Sequence, residues 1–326
     1  MKKWTLLSLL VLMIPALLTA GGSKESASPE DPGRPVRIAV LNGPSGIGLI
    51  QLMENPPLQE EGLAVETEAI GAPKVLLGQL IKEEWDFAVL PANMAALIYN
   101  KGVPYQVAAV TGLGNLYLIS DSDSRPESLK DLDGRTVNIP GKNTTPDLIM
   151  QLLGDKEGVA IAPDYSFNPS DLAKALAGGV AQSGVLPEPM ATIALSKNPG
   201  LSVALDLQAA WEEAYPGEGV FPLTILVVRK EFAGAHPVLT AEILKAAEAS
   251  IFWVTENPAD ASVLIGEHGF TLPAPVVAKA IPRSNYTFLE GEEAAASAEH
   301  YFGEVFRINP GALGGKLPGE ELYLKP

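Results

Sequence analysis

Residues 70–102 read IGAPKVLLGQLIKEEWDFAVLPANMAALIYNKG. In PKVLLGQLIKEE the residues Leu76, Leu77, Leu80 and Ile81 recur at helical spacing and form one apolar stripe, leaving Lys74, Lys82 and Glu83 for water. The next apolar run, FAVL, is short and apolar at every position, as a strand covered by helices on both faces requires. It ends in PAN, and the pattern turns helical again in ANMAALIYN. Helix, buried strand, turn and helix in so short a stretch predict an α/β chain with a mainly parallel sheet.

The same alternation extends in both directions. Upstream, from Arg37, RIAVLN, GIGLIQLM and AVETEAI complete a βαβαβα series. Downstream, after the polar break SDSDSRPESLKDLDG, it restarts with RTVNIPG as strand and TTPDLIMQLLG as helix, followed by DLAKALAGG, QSGVLP and SVALDL. From His236 onward the pattern is nearly all helical, with three segments opened by a proline that suits a first turn. QVAAVTGLGNLYLIS and GVFPLTILVVRK flank the second series as an outgoing and a returning crossover. The expected architecture is therefore two lobes, one of residues 35–115 plus 222–326 and the other of 116–221, joined by a two-strand hinge. Ligands of such sheets bind outside the carboxyl ends of the strands, which places a crevice between the lobes.

The amino terminus predicts export. Lys2 and Lys3 precede an apolar run from Leu6 to Leu18 that Pro15 interrupts, short for a bilayer span of about 20 apolar residues. Residues 1–20 are expected to be a signal peptide and 21–34 a flexible tether. The stretch TAGG is similar to a bacterial lipoprotein signal with Gly22 where the lipid-bearing cysteine would stand, so the chain as written has no thiol for a lipid anchor. It has no cysteine anywhere, which excludes disulfides, zinc–thiolate sites and thiol catalysis. The net charge of −16 is expected to repel nucleic acid and anionic lipid.

Small-residue or proline turns follow most strands: NGPSG at 42–46, GAP at 71–73, PAN at 91–93, GKNTTP at 141–146 and PEP at 187–189. Each is expected to open a helix whose free amides suit anionic or polar ligand groups. Ser45, Asn93, Thr144 and Thr145 read equally as plain N-caps. Glu188 either favours the dipole of the helix it heads or accepts hydrogen bonds from a ligand in the crevice. Tyr117, Phe221, Trp211 and Tyr215 are candidates for a stacking wall or for the core.

The order of RIAVLNGPSG, IGAPKVLLGQLIKEEWDFAVLPANMAALIYNKG, SLKDLDGRTVNIPG, GVLPEPMATIAL, LTILVVRKEF and GALGGKLPGEELYL resembles the substrate-binding proteins of ABC importers for nitrate, sulfonates, taurine and thiamine-precursor pyrimidines. DFAVLPAN and GVLPEPMAT carry the resemblance most strongly. It implies a type II periplasmic-binding-protein fold, no catalysis, no cofactor, and a monomer that hands a small-molecule ligand to a membrane permease and its ATPase. It points to ligand contacts at Gly43, Pro44, Ser45, Gly46, Ala72, Pro91, Ala92, Asn93, Gly112, Asn115, Tyr117, Asn143, Thr144, Thr145 and Glu188, to which the aromatic wall adds Phe221.

Only Lys142 is a basic residue well placed among the turns, so a neutral or zwitterionic ligand fits more easily than one needing an arginine clamp, although helix starts alone can hold an anion such as nitrate or a sulfonate. Two other functions compete. A ligand sensor for a membrane receptor would use the same closure. An enzyme similar to the pyrimidine synthases of thiamine biosynthesis would need a cysteine-rich segment, which is missing, and His236, His268 and His300 lie apart in contexts that read as exposed.

Overall fold

The computed structural model describes residues 32–58 and 62–325; the expected signal peptide, and the tether as far as residue 31, lie outside them. The first series folds as β1 (Val36–Leu41), α1 (Pro44–Gly48), α2 (Ile50–Glu54), β2 (Val65–Ile70), α3 (Pro73–Ile81), β3 (Phe87–Pro91), α4 (Ala92–Asn100) and β4 (Tyr105–Leu113). The second runs through β5 (Leu116–Asp121), β6 (Thr136–Asn138), α5 (Thr145–Glu157), β7 (Ala162–Asp164), α6 (Pro169–Ala177), β8 (Ser183–Pro187), α7 (Met190–Lys197), β9 (Leu201–Asp206) and α8 (Leu207–Ala214). The chain then returns through β10 (Pro222–Arg229) to α9 (Lys230–Ala235), α10 (Pro237–Glu256), α11 (Pro258–Glu267), α12 (Ala274–Ala280), β11 (Tyr286–Glu290) and α13 (Gly291–Ile308).

Two sheets result, ordered β11-β4-β10-β3-β1-β2 and β7-β6-β8-β5-β9. In the first, β1 pairs parallel with β2 and β3, while β10 lies antiparallel between β3 and β4. In the second, β6 pairs parallel with β7 and β8, while β5 lies antiparallel between β8 and β9. Each sheet thus takes the incoming crossover strand between its third and fourth same-direction strands. The shared wiring aims the carboxyl ends of β1, β2 and β3 and those of β6, β7 and β8 at turns of the same kind.

The FAVL run shows why the sheet is sandwiched. Phe87 and Val89 point into one cluster with Ile243, Ala247 and Ile251 of α10, while Ala88 and Leu90 point into another with Ala95 and Ile98 of α4. Alternate residues of one strand therefore fill two cores, so no polar position is tolerated. The edge strand β2 has only one covered side, and Glu66 and Glu68 alternate outward from it.

Two expectations needed correction. Ile81 is 52% exposed, whereas Leu76 and Leu80 are fully buried. Ile81 lies about 140° round the helix from Leu76 at ~100° per residue, beyond the reach of the sheet. The carboxyl-terminal third is not wholly helical either, because β11 adds an antiparallel strand to β4 with an irregularity between Tyr286 and Leu289. Its aromatic and β-branched run YTFL, after the left-handed Asn285 (φ 48°), carried the strand signal.

Candidate functional site

A cavity of about 470 Å³ opens where the strand ends of the two sheets face each other. Leu41 to Ser45 at the end of β1, Gly71 and Pro73 after β2, and Leu90, Pro91, Asn93 and Met94 around the start of α4 supply one wall. Pro140 and Asn143 to Pro146 around the start of α5, Pro169 at α6 and Pro187 at the end of β8 supply the other. Leu116 and Leu223, beside the crossovers, line it as well. Its volume lies in the range of small-molecule pockets.

The polar groups on these walls are mostly engaged within the protein. Ser45 Oγ accepts from the Leu41 N–H at 3.0 Å and donates to the Leu41 carbonyl at 3.3 Å, closing the turn after β1. Thr144 Oγ1 donates to the carbonyl of Gly141 at 2.7 Å and also reaches that of Pro140. Asn143 sits in the left-handed region (φ 59°), which asparagine tolerates, and its Oδ1 accepts from Asn309. Thr224 meets Thr111 hydroxyl to hydroxyl at 3.0 Å. Across the cavity, Thr145 Oγ1 approaches Asn93 Oδ1 at 3.5 Å, a long contact from one half to the other. The side-chain amides of Asn42 and Asn93 remain as unspent donors among the described residues.

Of the residues expected at the site, Gly43, Pro44, Ser45, Pro91, Asn93, Asn143, Thr144 and Thr145 line this cavity. The structure does not bring the other eight to it. Gly46 lies inside α1, where a Cβ would overlap the Phe270 ring, so its smallness serves packing. Gly112 likewise leaves room for Thr224 on the neighbouring β10. Ala72 is the N-cap of α3, and Ala92 is buried as the first residue of α4. Phe221 is buried with Trp211 and Tyr301, its ring against Gly114, and Tyr215 joins the same cluster.

Asn115, Tyr117 and Glu188 form a separate assembly. Glu188 is fully buried, its N–H donates to the Asn115 carbonyl, and it does not line the cavity. Arg283 Nη2 lies 2.6 Å from Glu188 Oε1 and donates to Thr192 Oγ1 at 2.6 Å, while Glu188 Oε2 accepts from the Thr192 N–H at 3.1 Å. Tyr117 donates to the Arg283 carbonyl at 2.7 Å, with the guanidinium 5.7 Å from its ring centre. Burial pushes the Glu188 carboxyl above its usual range, and Arg283 and Thr192 offset this in part. Arg283 lies 95 residues from its partner, so no local pattern announced the pair. The histidines are half-buried rather than exposed: His268 lies 2.9 Å from Glu54, and the His300 ring meets Trp211 and Tyr215 edge to face.

Among the described residues no group of histidine and acidic side chains is placed to hold a metal ion. No helix among them is long and apolar enough to cross a membrane.

A family profile described as menaquinone biosynthesis matches residues 49–297. The chain belongs to that family. Similar solved structures include an ABC transporter from Parabacteroides distasonis, at 26% identity and TM-score 0.77, covering 89% of this chain and 99% of that one. The periplasmic aliphatic sulphonate binding protein SsuA from Escherichia coli matches at 16% identity and TM-score 0.73, over 89% of this chain and 92% of that one. The alkanesulfonate-binding protein SsuA from Xanthomonas axonopodis pv. citri, bound to MOPS, matches at 13% and TM-score 0.68, over 91% and 100%. No curated protein sequence matches the chain. This member of the family has the fold of type II periplasmic binding proteins, as the sequence resemblance implies.

Proposed function

We propose that this protein is an exported, monomeric solute-binding protein. It captures a small molecule between two lobes, residues 35–115 plus 222–326 and residues 116–221, and passes it unaltered to an ABC permease and its ATPase. The observation that carries this reading is the cavity itself: it gathers the turns after the strands of both sheets, and no titratable side chain lines it among the described residues. Such a site can enclose and orient a ligand but offers no acid or base to change it or to activate the hydroxyls on its wall. The similar structures that are sulfonate-binding or ABC-transporter proteins support the importer role.

The family description, menaquinone biosynthesis, favours a second reading in which a metabolite reacts in the same cleft. That reading needs a proton-transfer group within hydrogen-bond reach of the ligand. The test is a thermal-shift screen of small metabolites, followed by scattering and mass analysis with the best stabiliser. The radius of gyration should fall on binding, as hinge closure requires, and the compound should be recovered at its original mass. Recovery of a changed compound would favour the enzyme.

A further inference from the structure

We propose that the ligand of this cleft is an uncharged, mainly apolar molecule with one hydrogen-bonding end, and not a sulfonate, nitrate or carboxylate. The inference rests on the cleft being the solute site and concerns only what enters it.

An anion leaving water needs either a counter-charge or several convergent donors, and without them its burial is strongly unfavourable. The counter-charge is missing: the cavity wall carries leucines, prolines, glycines, a methionine, asparagines and hydroxyls, and no lysine, arginine or histidine. Arg283 is committed to Glu188 outside it.

The usual substitute, the open amides at helix starts, is weakened by the same residues that mark those starts. Pro44, Pro73 and Pro169 occupy the first positions of α1, α3 and α6, and Pro146 the second of α5, and each removes one N–H from a helix end facing the cavity. The start of α5 is occupied already. The fully buried Asp147, in its first turn, accepts from the Asn143 N–H at 2.6 Å and from the Tyr165 hydroxyl at 2.7 Å. A carboxylate there uses the positive end of the helix and repels a second anion. The protein's net charge of −16 acts in the same direction.

What remains suits a different ligand. Leu41, Leu90, Met94, Leu116 and Leu223, with the proline rings, offer an apolar lining. The amides of Asn42 and Asn93 and the hydroxyl of Thr145 offer neutral donors and acceptors for a carbonyl, amide or hydroxyl.

The experiment compares two fluorescent probes on one ring skeleton: neutral N-phenyl-1-naphthylamine and 1-anilinonaphthalene-8-sulfonate. Both are titrated into the full chain and into two variants that fill the cavity, Met94→Trp and Gly71→Trp. Gly71 is on the wall, and an added side chain there meets nothing within 4 Å at its base, so this second variant is expected to fold. The neutral probe should bind saturably, at least ten-fold tighter than the sulfonate, and lose that affinity in both variants. If the sulfonate binds as well or better and is lost in the variants, the ligand class is overturned while the cleft stands. If binding survives both fillings, the cleft is not the site and the underlying functional reading falls. Absence of saturable binding by the neutral probe would also overturn the proposed class.

Discussion

Replacing Arg283 by methionine should destabilise the protein in a pH-dependent way. Glu188 is fully buried between β8 and α7, and its two oxygens are met by Arg283 at 2.6 Å and the Thr192 N–H at 3.1 Å. Removing the guanidinium leaves a buried carboxylate with one backbone donor, a change that costs about 3–5 kcal/mol when both partners are buried. The Arg283 side chain is 36% exposed, so solvent already screens the pair and the lower end, about 3 kcal/mol, is expected. At ~2–4 °C per kcal/mol for chains of roughly this size, the melting temperature at pH 7 should fall by about 6–12 °C. The sign with pH follows from the raised Glu188 pKa. The folded state keeps this proton longer than the unfolded state, so the group's contribution is greatest below its unfolded value and declines as pH rises through the folded one. Without Arg283 the folded value rises further, and the deficit against the parent should widen from acid to neutral pH. Thermal unfolding of the parent, Arg283→Met, Glu188→Gln and the double variant between pH 4.5 and 8 reads this directly. The double variant should recover most of the loss. An Arg283→Met protein within 1 °C of the parent at pH 7, or a deficit that shrinks toward neutral pH, would refute the reasoning.

Met94→Lys places a cation on the cavity wall and should raise affinity for 1-anilinonaphthalene-8-sulfonate by about 10- to 100-fold, as a charge-assisted bond of ~1.5–3 kcal/mol allows; titration fluorescence reads it. Asp86→Asn should also show a deficit that grows from acid to neutral pH, although the shift behind it has the opposite sign. Burial pushes the Asp86 carboxyl up, but bonds from Arg34 at 2.6 Å, the Arg37 N–H and Arg229 outweigh it and hold it below its usual value. Its stabilisation is therefore present above the unfolded value and lost as pH falls through the folded one, so the variant's deficit should be full at pH 7 and close in acid. Phe221→Ala should lower stability by about 3–5 kcal/mol in chemical denaturation and leave neutral-probe affinity within two-fold, because that ring fills a core outside the cavity.

The fold was legible because FAVLP and its neighbours obey a strict rule. A strand sandwiched between helices must be apolar at every residue, and the turn after it lies at the ligand-binding edge. That rule marks the turns at 42–46, 91–93 and 141–146, and within them Gly43, Pro44, Ser45, Pro91, Asn93, Asn143, Thr144 and Thr145, to which the family resemblance also points, lie on the cavity wall. It does not say where the side chains turn. Tyr117 and Glu188 are drawn aside by Arg283, a partner remote in sequence, and Phe221 by the space left at Gly114. The prolines mark helix starts, yet their own missing N–H groups reduce the exposure of amides there. Strand β11 is hard to read from sequence because four half-buried residues and the exposed Glu290 between two helices give a short signal beside long helical ones.

Hydrogen–deuterium exchange of the full chain, with and without saturating N-phenyl-1-naphthylamine, tests the shared cleft most directly. Slowed exchange is predicted together at residues 41–47, 92–95 and 143–149, one wall from each half. Protection confined to one half, or found at the surface groove bordered by Arg135 and Gln182, would contradict it.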